Sequence, residues 1–157
     1  MFGSGMCGGV LIAPRLVLSA AHCEGAADLF RIGGFKNIGD GQHVTIRNAI
    51  IHEDYDKSRF DYDIMIFELD EDANVPYITL KKNEIKKGDF TVLGFGDTDK
   101  GYPLELADNL QEVELEYVDN DTCDEGHGGR GEVSEDMMCA AGKEKDSCIG
   151  QYLYTTC

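Results

Sequence analysis

Gln111-Glu112-Val113-Glu114-Leu115-Glu116-Tyr117 alternates without a break. Val113, Leu115 and Tyr117 fall on one face, and Glu112, Glu114 and Glu116 on the other. A repeat of two is what a half-buried β-strand requires, because successive side chains leave the pleat on opposite sides. Outward from this segment, short apolar runs recur between turn signals: Val10-Leu11-Ile12-Ala13, Leu16-Val17-Leu18, Leu29-Phe30-Arg31-Ile32, Val44-Thr45-Ile46, Ala49-Ile50-Ile51, Ile64-Met65-Ile66-Phe67 and Phe90-Thr91-Val92-Leu93. Pro14-Arg15, Gly33-Gly34 and the stretch from Asn37 to Gly41 supply the turns. Glycine, at 19 of 157 residues, exceeds the usual ~7% and suits short strands joined by tight loops. No stretch of a dozen residues holds a 3.6-residue apolar period, so helices are minor; Val133-Ser134-Glu135-Asp136-Met137-Met138 reads as one turn capped by Ser134. The pattern predicts an all-β barrel or sandwich.

The length allows one domain, and a hydrophobic content of 42% allows a core. The polar segment Lys81-Lys82-Asn83-Glu84-Ile85-Lys86-Lys87-Gly88 divides the strands into two groups. It reads as a connector between two β-rich halves, one over about 1–80 and one over about 89–157. A net charge of −16 repels phosphates, so neither nucleic acid nor an anionic membrane is an expected partner. Gly8 to Ala21 is the one apolar stretch, and Pro14-Arg15 interrupts it before it could span a bilayer.

Six cysteines, Cys7, Cys23, Cys123, Cys139, Cys148 and Cys157, are an even count that fits disulfides and an oxidising, extracytoplasmic compartment. Their spacing gives no two C-x-x-C knuckles, which argues against structural zinc, and no other cofactor or metal is expected. The start, Met1-Phe2-Gly3-Ser4-Gly5-Met6, has neither the basic region nor the separate apolar region of a signal peptide. The expectation is therefore that the native N-terminus lies further upstream.

Chemistry concentrates in two places. Leu18-Ser19-Ala20-Ala21-His22-Cys23 carries an imidazole beside a cysteine, with Cys7 sixteen positions earlier; a bridge between the two would clamp the ring for general acid–base work. Asp61-Tyr62-Asp63 enters the apolar run at Ile64. An acid at the mouth of a buried strand needs a donor, and a histidine Nδ1–H is one. Asp63 is preferred over Asp61 because the apolar run begins directly after it. His43, His52 and His127 show no partner pattern and are expected to be solvated. Asp121, Cys123, Glu125, Gly126 and Glu132 approach the spacing of a calcium loop, but a cysteine stands at a ligand position and Gly128 at a normally apolar one. Asn120-Asp121-Thr122 is an N-glycosylation sequon, meaningful in a secreted protein.

These segments together resemble the trypsin-like, chymotrypsin-fold serine peptidases of the S1 family. Cys7-Gly8-Gly9-Val10-Leu11-Ile12 is similar to the strand leading to the family's histidine, Leu18-Ser19-Ala20-Ala21-His22-Cys23 to its histidine motif, and Asp63-Ile64-Met65-Ile66 to its aspartate motif. Gly94-Phe95-Gly96 resembles the Gly-Trp-Gly turn of the second barrel, and Leu110-Gln111-Glu112-Val113 with Cys123 the strand and cysteine that follow. Met138-Cys139-Ala140-Ala141-Gly142 and Lys145-Asp146-Ser147-Cys148-Ile149-Gly150 resemble the approach to the nucleophile. The resemblance implies a double six-stranded antiparallel β-barrel, with the second barrel incomplete. It implies peptide-bond hydrolysis through an acyl-enzyme, with His22 as base and acid, Asp63 as its orienting carboxylate, Gly150 as an oxyanion donor and Asp146 selecting Arg or Lys. It also implies the bridges Cys7–Cys23 and Cys123–Cys139, polypeptide substrates or inhibitors as partners, a monomer and a secreted protein. Cys157 could pair with Cys148, or both could stay free.

The resemblance stops after Gly150. Where the family has Asp-Ser-Gly-Gly-Pro, this chain has Gln151-Tyr152-Leu153-Tyr154-Thr155-Thr156-Cys157. Tyr152 holds the nucleophile's place, with a pKa of about 10 and a ring that sets its oxygen far from a serine hydroxyl's position. Ser147 lies five positions too early to substitute. Loss of the nucleophile lowers turnover by about a millionfold in such enzymes. The expectation is an inactive, truncated piece of a peptidase domain, from an incomplete gene model, a frame shift or a splice form; the alternative is a secreted binding or decoy module.

Overall fold

In the computed structural model, the residues described are 7–26, 28–34, 36–37, 39–82, 86–96 and 107–142. Eight strands and one short α-helix appear among them, in two antiparallel sheets. The first sheet contains β1 (Val10–Ala13), β2 (Leu16–Ser19), β3 (Leu29–Ile32), β4 (Gln42–Ile51) and β5 (Met65–Leu69), in the order β1-β2-β5-β4-β3. The second contains β6 (Asp89–Gly94), β7 (Gln111–Val118) and β8 (Cys139–Ala141), in the order β6-β7-β8. The all-β reading holds, as one curled sheet and a second, smaller one.

Alternation decides which side chains enter the core. Along β5, Met65, Phe67 and Leu69 are buried, while Ile66 and Glu68 are only partly covered. Val17 and Ser19 are buried on β2, and Val44 of β4 joins them. Phe30 of β3 meets the Phe67 ring edge to face, with centroids 5.1 Å apart, a geometry favoured by the ring quadrupoles. In the second sheet Leu115 is the buried hydrophobe and its neighbours Glu114 and Glu116 are exposed, as the unbroken alternation predicts.

Two elements depart from the sequence reading. Val44–Ile46 and Ala49–Ile51 belong to a single ten-residue strand, β4, whose pairing with β5 shifts register between Ile46 and Asn48. A bulge changes the phase of the alternation, so one strand reads as two. The helix lies at Asn120–Gly126 (α1), and 133–138 holds only a turn, closed by Met137 N–H donating to the Ser134 carbonyl at 3.2 Å. Ser134 Oγ donates to Asp136 Oδ1 at 2.6 Å, so it does not cap a helix.

The β3–β4 hairpin depends on glycine at one position. Gly41 has φ +104°, and a Cβ there would meet the Ile32 carbonyl oxygen at 2.6 Å and the Gly34 nitrogen at 3.0 Å. Both obstacles are backbone and cannot swing aside. Gly41→Ala is expected to destabilise the protein by about 2 kcal/mol, read as a lower urea midpoint at unchanged slope.

Candidate catalytic site

Strand order brings the two chemical segments together. β2 and β5 are antiparallel neighbours, with Ser19 opposite Met65. The chain leaving β2 and the chain entering β5 therefore emerge at the same end of the sheet. Beyond Ser19 the backbone enters a single 3-10 turn, Ala21–Cys23. Ser19, itself buried, donates its hydroxyl to the Gly8 carbonyl at 2.8 Å. The Cys7–Cys23 bridge ties the far side of the turn to the segment before β1. Ala20, Ala21 and Cys23 are buried in the main core, which leaves His22 as the residue of the turn that faces outward.

Asp63 meets His22 twice. The His22 backbone N–H donates to Asp63 Oδ1 at 2.8 Å, and Nδ1 lies 2.6 Å from Oδ2. An ionised carboxylate only accepts, so Nδ1 carries the proton. Both carboxylate oxygens thus fix one residue, its backbone and its ring together. The aspartate side chain is 11% exposed and the imidazole 27% exposed. The anchor is the more sheltered of the two side chains, and the Nε2 atom of the ring is itself buried.

Asp61, the competing acid, accepts from Arg59 Nε at 2.8 Å and serves the turn. The ring of Phe60 stands edge-on to His22, with centroids 5.9 Å apart and planes at 82°. Tyr55 packs against the main core with its hydroxyl buried. Burial, and then the charges of Asp63, Asp56 and Glu24, push that hydroxyl above its ordinary value. Phe60 and Tyr62 both have left-handed backbones, with φ 58° and 50°, which for bulky residues costs about 1–2 kcal/mol each.

Three other expectations meet the structure here. The histidines judged solvated differ among themselves: exposed His43 accepts from Arg31 Nε at 2.9 Å, and half-buried His52 stacks on Tyr62 at 5.0 Å and accepts from Asp54 N–H. Cys7, His22 and Cys23 place ligating atoms within 4.8 Å of one another, but the two sulfurs are bonded to each other and offer no thiolate to a metal. The first half of the calcium-like acidic segment is helix α1, with Cys123 bridged to Cys139. Asp124 there accepts backbone N–H groups from Gly131, Glu132 and Val133. These bonds hold its carboxyl below the usual range and tie the residues after the helix back to it.

The sequon asparagine is also engaged. Asn120 Nδ2 donates to the Ser134 and Met137 carbonyls at 2.9 and 3.0 Å. A glycan on Nδ2 would remove one of its two protons, so the sugar and the double clamp exclude each other. Asp146, Ser147, Cys148, Gly150, Gln151, Tyr152 and Cys157 lie outside the described residues.

A family model described as Trypsin matches residues 1–152. The chain belongs to the trypsin family. Its relatives include trypsin theta of Drosophila melanogaster, 35% identical over 94% of this chain and 60% of that protein. Hypodermin-B of Hypoderma lineatum is 30% identical over 94% of this chain and 61% of its own length. The chain thus spans about 60% of these trypsin-family relatives. Among solved structures, neuropsin, a serine protease expressed in the limbic system of mouse brain, superposes with a TM-score of 0.79 at 24% identity, covering 92% of this chain and 68% of that one. The likeness shows the fold: a mostly β, trypsin-like arrangement, with three strands of the second half among the described residues.

Sequence reasoning missed three residues near the site: Phe60, Asn120 and Asp136. Phe60 lies in a turn that no periodicity marks, and Asn120 drew notice only as a sequon. Asp136 accepts from the Tyr62 backbone N–H across 74 positions of sequence, and no local pattern signals such a partner.

Proposed function

We propose that the chain is built as a serine-type endopeptidase domain and that the chain as it stands does not hydrolyse peptides. The observation carrying the first part is the 2.6 Å contact between His22 Nδ1 and Asp63 Oδ2. With Nδ1–H bound to the carboxylate, Nε2 is the basic nitrogen, the atom that would take a proton from a hydroxyl and return it to a leaving amine. The carboxylate also stabilises the imidazolium that forms in between. His22 is the base and acid, Asp63 its orienting carboxylate, Gly150 an oxyanion donor, and Asp146 the selector of Arg or Lys beside the scissile bond. The substrates are polypeptides. The chain forms one domain, with halves over about 1–80 and 89–157 joined by 81–88.

Inactivity follows from the residue at the nucleophile's place. A tyrosine there offers a phenol on a longer, rigid side chain where the family has a serine hydroxyl. The bridges Cys7–Cys23 and Cys123–Cys139 support an extracellular setting. A second reading, a secreted pseudopeptidase that binds polypeptides or inhibitors without cutting them, is motivated by the first sheet, which has a buried core of its own.

Incubation with a fluorogenic Arg-containing peptide and with a serine-directed fluorophosphonate tests the proposal. The expected result is no turnover and no labelled residue. A label mapped onto this polypeptide would overturn the claim of inactivity.

A further inference from the structure

We propose that Asp136, from the segment between α1 and β8, is a positioning residue for the His22–Asp63 pair; this rests on the catalytic reading of that pair given above. The turn ahead of Asp63 is held against its own preference, since Phe60 and Tyr62 both sit in the left-handed region. Left-handed backbone in bulky residues persists only where the surroundings determine it. Within the turn, Asp56 N–H donates to the Asp61 carbonyl at 3.0 Å and Ile64 N–H to the Tyr62 carbonyl at 2.7 Å. From outside, Asp136 Oδ2 accepts the Tyr62 backbone N–H, one residue before the carboxylate that orients His22.

Asp136 is itself fixed. Ser134 Oγ donates to its other oxygen at 2.6 Å. Asn120 of α1 donates to the carbonyls of Ser134 and Met137, which flank Asp136 on both sides. Arg59 Nη2 reaches the Gly131 carbonyl at 3.5 Å, and His52 stacks on the Tyr62 ring. A chain of contacts therefore runs from α1 through Asp136 to Tyr62, and through the left-handed turn to Asp63 and His22. The segment leading into the second sheet thereby sets the angle at which the first sheet presents its carboxylate.

The test uses the whole chain and reads the His22 ring directly. Imidazole 15N and Nδ1–H signals are assigned by comparison with His22→Gln, alongside urea midpoints for every variant. Asp136→Ala is expected to abolish the Nδ1–H signal through faster exchange with water. Asp136→Asn, whose Oδ1 still accepts the Tyr62 N–H, is expected to retain it. Tyr62→Asn in the Asp136→Ala background is expected to restore it, because asparagine tolerates the left-handed region. An Nδ1–H signal unchanged in Asp136→Ala, or a loss in Asp136→Asn equal to that in Asp136→Ala, would overturn the proposal. Should Asp136→Ala fail to fold, Ser134→Ala removes one donor to Asp136; weakening of the His22 signal then supports the role and an unchanged signal overturns it. None of these readouts needs turnover. A fluorophosphonate label would therefore overturn inactivity and leave the positioning role standing, while an intact Nδ1–H in Asp136→Ala would do the reverse.

Discussion

Asp63→Asn is expected to reverse the tautomer of His22. Asparagine is nearly isosteric with aspartate, and its carbonyl oxygen can keep the bond from the His22 backbone N–H, now 2.8 Å from Oδ1. Its amide NH2 would then face Nδ1, and two donors cannot share that contact. The ring proton moves to Nε2 and Nδ1 becomes the acceptor. In the proposed catalytic role of His22, the nitrogen that would accept a proton is then blocked by its own hydrogen. Imidazole 15N shifts report the exchange directly, and an unchanged pattern would mean that the pair does not form in solution. Asp63→Ala removes both bonds and leaves a sheltered N–H without its acceptor. Hydrogen bonds to charged groups contribute about 1.5–3 kcal/mol each, so a loss of about 3 kcal/mol is expected by urea denaturation.

Removing the Cys7–Cys23 bridge is expected to cost about as much, with a different signature. Both bridges close loops with a sequence separation of 16. Chain entropy alone assigns each about 3 kcal/mol. Their surroundings differ. Cys23 is 1% exposed within the main core and adjoins His22, whereas Cys123 lies on a helix with no buried residue. Cys7→Ala/Cys23→Ala should therefore lower the urea midpoint at least as far as Cys123→Ala/Cys139→Ala, and should also broaden the His22 ring signals. Equal broadening in both double variants would refute the view that the first bridge holds the imidazole. The comparison is controlled by the protein itself, since loop length cancels.

The sequence made the site legible where short segments carry their own chemistry. Leu18-Ser19-Ala20-Ala21-His22-Cys23 announces a clamped imidazole, and Asp63 an acid at the start of a buried strand; β2 and β5 then place the two side by side. The β7 alternation was readable because nothing interrupts its period. β4 was not readable as one strand, because the bulge at Ile46/Asn48 resets the phase. Helix α1 was hidden for another reason. It buries nothing, so it has no apolar stripe, and it is held by Asp119 accepting from the Thr122 N–H and by the Cys123 bridge. Asp136 was invisible because its partner is remote in the chain and is a backbone group, which any residue type could supply. Local chemistry is written in the sequence more plainly than the contacts that aim it.

The position of β5 in the first sheet bears on how the protein is made. It is the last of the five strands to leave the ribosome, yet it lies between β2 and β4. Until it arrives, the nascent chain can hold only two separate hairpins, β1–β2 and β3–β4, each with an unsatisfied edge where the central strand belongs. The imidazole is synthesised early but waits for its carboxylate until that strand slots in, so translation and assembly of the pair end in one late step. Such non-local closure is slow and leaves adhesive edges exposed, which makes the interval before residue 69 emerges the point at which a chaperone would matter most.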